Sequence, residues 1–319
     1  MSFNSKIYKR QMSIIVFGSI NIDLVATAPC LPIAGETLLG NNFFKAPGGK
    51  GANQAVAVTK LGISAEIVGR VGTQSFSSEL INYLQIAGVK TDNVFLDQTV
   101  SSGVAIIIVD GAGENQIVVV PGANERVNQE DVERLSQLLP GKHALLLQLE
   151  IPIPAVIAAA KAAQKAGVKV ILDPAPAQTE LPEELYPLVD ILTPNQVEAA
   201  QLVGFPVNDE ESAKKAAEVF LEKGVKCAIV KLGAKGVYCS TPSESFFKPA
   251  FSVKTVDTTA AGDAFNGGLA AAVSQGISLR QAVVWGAAAG ALAATKSGAQ
   301  PSLPDRDTFD KFLQERLSS

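Results

Sequence analysis

Residues 144–173 read Ala-Leu-Leu-Leu-Gln-Leu-Glu-Ile-Pro-Ile-Pro-Ala-Val-Ile-Ala-Ala-Ala-Lys-Ala-Ala-Gln-Lys-Ala-Gly-Val-Lys-Val-Ile-Leu-Asp. Two short runs of Leu, Ile and Val, Ala144–Leu149 and Val168–Asp173, flank a helical stretch at Pro154–Ala166. A strand, a helix and a strand in that order form a crossover unit, which joins parallel strands. The runs are mainly apolar, with Gln148, Lys169 and Asp173 only near their ends, rather than alternating, as expected of strands covered on both faces. The same reading gives strands at Ile14–Ile20, Glu66–Val71, Ile191–Thr193 and Ala228–Lys231. It gives helices at Ala52–Leu61, Gln129–Leu139, Glu211–Lys223, Ala264–Gln275 and Leu279–Thr295. The fold class is therefore α/β, a mostly parallel central sheet with helices on both faces.

Two segments break the rhythm: Leu24–Lys45, and Ser102–Val120, where Asp110-Gly-Ala-Gly-Glu114 separates two strand-like runs as in a hairpin. Together, at about 22–47 and 99–122, they are expected to form a small antiparallel flap over the main sheet. Such a flap leaves one face bare unless it covers a ligand or a second subunit, so a lid that also makes a homodimer is the expectation.

The chain has 319 residues, 47% hydrophobic and 18% charged, with a formal net charge of −4. That length and apolar content suit a large buried core. Slight acidity without a Lys/Arg cluster gives no footprint for nucleic acid or an anionic membrane. The longest uncharged stretches, Ala264–Leu279 and Gln281–Thr295, are broken by polar residues and glycines and fall short of a membrane span. One histidine, His143, leaves acid/base chemistry to Asp, Glu or Lys, and opens an apolar strand as a structural residue would. Cys30, Cys227 and Cys239 are too few and scattered for a disulfide framework and fit a reducing cytoplasm. Residues 1–12 read as a flexible tail and 13–319 as one domain.

Asp257-Thr-Thr-Ala-Ala-Gly-Asp263 leads straight into a helical run. Small residues at a helix start let backbone N–H groups converge where the macrodipole adds positive charge, an anion hole at Ala260, Ala261 and Gly262. Asp263 at its mouth is placed to take a proton from an attacking hydroxyl, or simply to cap the helix. Near the other end, Gly48-Gly49-Lys50-Gly51-Ala52-Asn53 is a second glycine-dense turn into a helix, a close-approach site or a tight turn. Asn21, Asp23 and Glu150 follow strand ends, where open parallel sheets bind ligands, and their types suit a sugar's hydroxyls. Asn195 opens a helix as an N-cap; Glu198, one turn on, is a carboxylate that could reach hydrated Mg²⁺ and that capping alone leaves unexplained. Lys231-Leu232-Gly233-Ala234-Lys235-Gly236 lies along nucleotide phosphates or forms a hairpin turn.

Taken together these motifs resemble the ribokinase-like carbohydrate kinase family, whose paired glycine-rich and Asp-containing signatures match residues 48–53 and 257–263. Further co-linear matches are Gly18-Ser-Ile-Asn-Ile-Asp23, Pro32-Ile-Ala-Gly-Glu-Thr37, Leu146-Leu-Gln-Leu-Glu150, Asp173-Pro-Ala-Pro-Ala177, Thr193-Pro-Asn195 and Gly298-Ala-Gln-Pro-Ser302, and the resemblance runs from Ser13 to Leu317. It implies a three-layer sandwich with a small β-sheet lid, and ATP-dependent phosphorylation of D-ribose at the 5-hydroxyl with Asp263 as base. Ribose would meet Asn21, Asp23, Gly49, Lys50, Gly51, Ala52, Asn53, Glu150 and Asp263. ATP would lie along Asn195, Lys231 to Gly236 and Gly262. Glu198 would help place Mg²⁺, and an activating K⁺ would sit at Asp257, Thr259, Ala293, Lys296, Gly298 and Ser302. Two departures stand out: Gly72-Thr-Gln-Ser-Phe76, where relatives usually carry Asp after the first Gly and a Gly at the Phe76 position, and Lys231, where many have Thr. Phosphorylation of another sugar or a nucleoside, and a sensor that binds without catalysis, are the competing readings.

Overall fold

The computed structural model describes residues 12–317. The tail expected at residues 1–12 lies, apart from Met12, outside them. In chain order the strands are β1 (Ser13–Phe17), β2 (Asn21–Thr27), β3 (Asn42–Gly48), β4 (Ser64–Gly72), β5 (Lys90–Asp97), β6 (Gly103–Val109), β7 (Asn115–Val120), β8 (Ala144–Leu147), β9 (Lys169–Leu172), β10 (Ile191–Leu192), β11 (Ala228–Lys231), β12 (Gly236–Ser240) and β13 (Ser245–Pro249). The α-helices are α1 (Lys50–Lys60), α2 (Ser77–Ile86), α3 (Gln129–Leu138), α4 (Ile153–Lys165), α5 (Gln196–Val203), α6 (Glu210–Glu222), α7 (Ala261–Ser274), α8 (Leu279–Ala293) and α9 (Arg306–Leu317).

Nine strands form one sheet in the order β13-β12-β11-β10-β9-β8-β1-β4-β5. All neighbours from β11 to β5 run parallel, and β12 and β13 add an antiparallel edge. Along β1, Ile14 and Val16 join the core beneath α1 and α7, while Ile15 and Phe17 join the core beneath α4. This two-sided burial explains why the strands carry no polar alternation. Each of those four side chains is fully buried and contributes about 1.5–3 kcal/mol through removal from water.

The second sheet has the order β3-β2-β6-β7. Its outer pairs are antiparallel, as expected, but its central pair β2–β6 is parallel, with Asn21 beside Gly103. Both strands leave the main sheet in the same direction, β2 after β1 and β6 after β5, so they cannot meet head to tail. Asn21 and Asp23 accordingly belong to this sheet: β1 ends at Phe17, and Gly18 to Ile20 turn the chain out into β2. The sheet exposes Phe43, Phe44, Ile106, Ile117, Val118, Val119 and Val120.

α7 begins at Ala261, three residues before the expected Ala264. Ala260 adopts a left-handed conformation at φ 57°, which turns the Ala261 N–H onto the Thr258 carbonyl and lets the Ala264 N–H reach the Ala260 carbonyl. Phe76, before α2, is likewise left-handed at φ 63°, a backbone state that glycine adopts at no steric cost. His143 is structural: its Nδ1 accepts from the Ser13 N–H, and its own N–H donates to the Ser13 carbonyl. Cys227 and Cys239 are buried and free; Cys30 is exposed and free.

Candidate active site

The two glycine-rich turns meet at the carboxyl ends of the central strands because helices α1 and α7 lie side by side. Gly267 permits this contact, since a Cβ there would stand 2.4 Å from the Cβ of Ala57. Gly49 caps α1 at φ 87°, a conformation costly to any side chain, and an added Cβ would stand 2.7 Å from the Asn21 nitrogen. Gly51 and Ala52 serve the turn itself: their N–H groups donate to Ser19 Oγ and the Ser19 carbonyl.

Asp263 lies in the first turn of α7 and is buried. It does not cap its helix; its Oδ2 accepts from Asn53 Nδ2 at 2.9 Å and its Oδ1 from Gln54 Nε2 at 3.1 Å. Burial is the largest influence on this carboxyl and the Asp173 charge adds to it. Against the opposing pull of Lys50 and the two amides, its pKa is raised to about 6. Among the described residues nothing accepts from the N–H groups of Gly262 or Asp263, so they face the cleft with the positive end of the α7 dipole. Ala261 is the exception within the expected anion hole, its N–H being taken by Thr258.

On the side toward the small sheet, Glu150 Oε2 accepts from Ser19 Oγ at 2.5 Å and from the Lys50 N–H at 3.0 Å. Asp23 stands near Glu150 and Asp263; burial first, then these two charges, raise its pKa to about 7. Asn21 Oδ1 accepts from Asn124 Nδ2 at 2.6 Å, and Asn124 in turn accepts from the Ile20 N–H. Burial alone would lower the pKa of Lys50, but Asp263, Asp173, Glu150 and Glu198 outweigh it and raise it.

A cleft of about 840 Å³ continues past Asp263 between Asn195, Lys231, Gly233, Ala234, Gly236 and the start of α7. Asn195 caps α5, and Glu198 completes a reciprocal capping box: Glu198 Oε2 accepts from the Asn195 N–H at 2.7 Å. Capping therefore does explain Glu198, contrary to the reading from sequence. Both its oxygens are engaged by Asn195, and burial and the Asp173 charge raise its pKa. Lys231 Nζ donates to Asp173 Oδ1 at 3.0 Å, and a Cβ on Gly262 would lie 3.5 Å from that ammonium. Two residues of the expected nucleotide loop point elsewhere: Leu232 is buried in the core, and Lys235 donates to the Asn208 carbonyl. Of the apolar walls, Ala287 and Ala291 belong to the Ala/Gly helix 282–294, whose small residues suit either close packing or a flat nucleotide beside it, whereas Phe251 and Val253 on the other side carried no signal in the sequence. The small-residue face of α8 serves twice, Gly286 packing against Phe265 and Gly290 lining the cleft.

Asp257 ties together the two loops expected to share a cation. Its Oδ1 accepts from the Thr259 N–H and Oγ1, and its Oδ2 from the Gly298 N–H at 2.8 Å. Burial would raise its pKa, yet these hydrogen bonds hold it below the usual carboxylate range. Ser302 is buried, its hydroxyl donating to the Ala299 carbonyl. Ala293, at the end of α8, accepts from the Lys296 N–H.

Residues 11–306 match the family described as pfkB family carbohydrate kinase. The chain is 43% identical over 299 residues to a ribokinase of Haemophilus influenzae, covering 94% of this chain and 97% of that one. A ribokinase crystal structure from Thermotoga maritima superposes with a TM-score of 0.86 at 41% identity, over 95% of this chain and 99% of that one. A ribokinase from Arabidopsis thaliana, complexed with ribose and ATP, superposes with a TM-score of 0.87 at 35% identity over the same shares.

Proposed function

The chain belongs to the pfkB family of carbohydrate kinases, and from that premise we propose that it transfers the γ-phosphoryl group of ATP to the 5-hydroxyl of D-ribose with Asp263 as general base. Phosphorylation of ribose by ATP is the activity of the ribokinases it resembles over nearly its whole length. The observation that supports the catalytic assignment is the setting of Asp263: buried, fixed by two amides, with a pKa near neutrality, beside unengaged N–H groups at a helix start. A base of that pKa accepts a proton at neutral pH without holding it too weakly. As the hydroxyl oxygen bonds to the γ-phosphorus, its proton passes to Asp263 and the bond to the bridging oxygen breaks to release ADP. The Gly262 and Asp263 N–H groups and the α7 dipole face the charge on the transferring group.

Asn21, Asp23, Glu150 and Asn53 supply acceptors and donors for the sugar's hydroxyls, with Lys50 balancing the negative charge around them. Gly49 brings the backbone turn up to the sugar, and Gly51 and Ala52 hold that turn against Ser19. ATP lies along Asn195, Lys231, Gly233, Ala234 and Gly236, its base between Phe251, Val253 and α8. Among the described residues no three His, Cys, Asp or Glu side chains are grouped to hold a metal ion. The carboxylate of Glu198, engaged by Asn195, fits a hydrated Mg²⁺ that arrives with ATP and neutralises phosphate charge. The Asp257 carboxylate and the loops it joins, 257–259 and 293–302, fit a K⁺ held largely by carbonyls.

The small sheet acts as a lid that closes over the sugar and excludes water, and its exposed apolar side chains support a homodimer formed through it. Residues 13–319 act as one domain. No described helix is long and apolar enough to cross a membrane, and the three free thiols accord with a cytoplasmic setting. The test is coupled ADP release with ATP, Mg²⁺ and K⁺ across D-ribose, 2-deoxyribose, fructose and adenosine. Turnover highest on ribose is expected, and preference for another acceptor would move the substrate assignment. Sugar binding without turnover would make the protein a sensor.

A further inference from the structure

Behind the candidate base runs a buried chain of polar groups. Gln148 Nε2 donates to Gln54 Oε1 at 2.6 Å, which fixes the Gln54 amide with its NH₂ pointing the other way. That single NH₂ serves two carboxylates, Asp263 Oδ1 and Asp173 Oδ2, each at 3.1 Å. The other oxygen of Asp173 accepts from Lys231 Nζ at 3.0 Å. Gln54 and Asp173 are buried, and Lys231 is nearly so, its side chain 12% exposed. The Lys231 ammonium hangs over the α7 start at Gly262, where the phosphate-facing N–H groups lie.

We propose that Asp173 is a positioning residue for phosphoryl transfer, aiming the Lys231 ammonium at the phosphate-binding start of α7 and holding the base Asp263 in register through the shared Gln54 amide. The inference rests on the kinase reading above. A lysine on a flexible stem is a poor phosphate ligand unless its ammonium is held in place. Asp173 supplies that hold with one oxygen and leaves two ammonium protons free. Its second oxygen links the nucleotide side of the cleft to the base. The charged groups facing Asp263 are Lys50 from α1, Asp23 from β2, and Asp173 beyond β9. Asp173 raises the base's pKa, so its removal lowers it.

The experiment is a double-mutant cycle of Asp173→Asn and Lys231→Met, assayed by ADP release on D-ribose with full pH profiles. Wild-type enzyme inactive on every acceptor would fail the kinase reading itself; the outcomes below concern Asp173 alone. Asp173→Asn is expected to raise the KM for ATP about tenfold, the scale of one lost charge-assisted contact, with the KM for ribose unchanged. It is also expected to move the acid limb of kcat/KM to lower pH. In the Lys231→Met background the same substitution leaves the KM for ATP unchanged, since nothing remains to aim, while the acid limb still moves. An equal rise in the KM for ATP in both backgrounds, or an acid limb that stays put, overturns the proposal. If the single Asp173→Asn variant, with its unpaired buried lysine, fails to fold, the neutral double variant against Lys231→Met still carries the acid-limb readout, and an acid limb that stays put there overturns the proposal.

Discussion

Asn53 donates its side-chain amide to Asp263 Oδ2 at 2.9 Å across 210 positions of chain, joining the first turn of α1 to the first turn of α7. The Asp263 carboxylate is thereby fixed by the helix that also presents Lys50 toward the cleft. With both oxygens already accepting from amides, its remaining lone pairs are directed by the fold rather than by solvent. Replacing Asp263 with Asn keeps the shape, removes the proton acceptor and sets one amide donor against another. Turnover on D-ribose should fall by about 10²- to 10⁴-fold, the usual range for a lost general base. Calorimetry should still show ribose binding, and a variant keeping more than a tenth of wild-type turnover would rule Asp263 out as the base.

The pH profile follows from two raised carboxyls in one site. Asp263 is raised to about 6, chiefly by burial, and Asp23 to about 7, by burial and by the Glu150 and Asp263 charges, so two carboxyls of one site lose their protons in this range. Protonated Asp263 cannot act as base. The kcat/KM for ribose should therefore fall as pH drops below about 7 to 6, and a profile flat down to pH 5 would contradict the assignment.

The same shifts oppose stability, with a definite sign. Both carboxyls have folded pKa values above the ordinary 3.8, so between about pH 4 and 7 the native state binds more protons than the unfolded chain. Their contribution is most favourable below pH 4 and is lost as pH rises through 6 to 7. Asp23→Asn should then raise Tm at pH 8 by roughly 2–4 °C while weakening ribose binding, with the gain shrinking toward zero at pH 4. A scan at both values, showing a gain independent of pH, would trace the effect to something other than charge burial.

The strands were legible because burial on both faces writes an uninterrupted apolar run, as in Ile14–Phe17 and Ala144–Leu147. The place of Asp263 at a helix start was legible from the small residues before it, but the choice between capping and facing the cleft was not, and it falls to its buried contacts with Asn53 and Gln54. Long-range partners were hidden. Nothing local marks Gln54 as shared between Asp173 and Asp263, or Asn124 as the partner of Asn21, since each pairing depends on how distant strands and helices are stacked. Helix α2 was legible only as a helix start near Phe76 through the family resemblance, because its N-cap is Phe76 in a left-handed conformation, without the usual capping side chain. Helix α9 did carry a signal that went unread, Asp305, whose Oδ1 accepts from the Thr308 N–H. Glu198 shows the opposite trap: the spacing that suggested a metal-facing carboxylate is also that of a capping box, and the capping box is what Glu198 forms with Asn195.

Gly48 offers a test of the sugar side that leaves the charges of the site untouched. It ends β3 directly beneath Asp23, and an added Cβ would stand 2.4 Å from both carboxylate oxygens. Gly48→Ala must therefore push the Asp23 carboxylate aside, and a displacement of about 1 Å at a binding group costs on the order of 10²-fold when that group orients the substrate. The KM for ribose should rise roughly tenfold to hundredfold with the KM for ATP unchanged, because the nucleotide cleft lies on the other side of Asp263. In an Asp23→Asn background the same change should add little, since the contact it disturbs has already lost its charge. A large, equal effect in both backgrounds would mean that Gly48 acts through the backbone of β3, and that Asp23 is not what places the sugar.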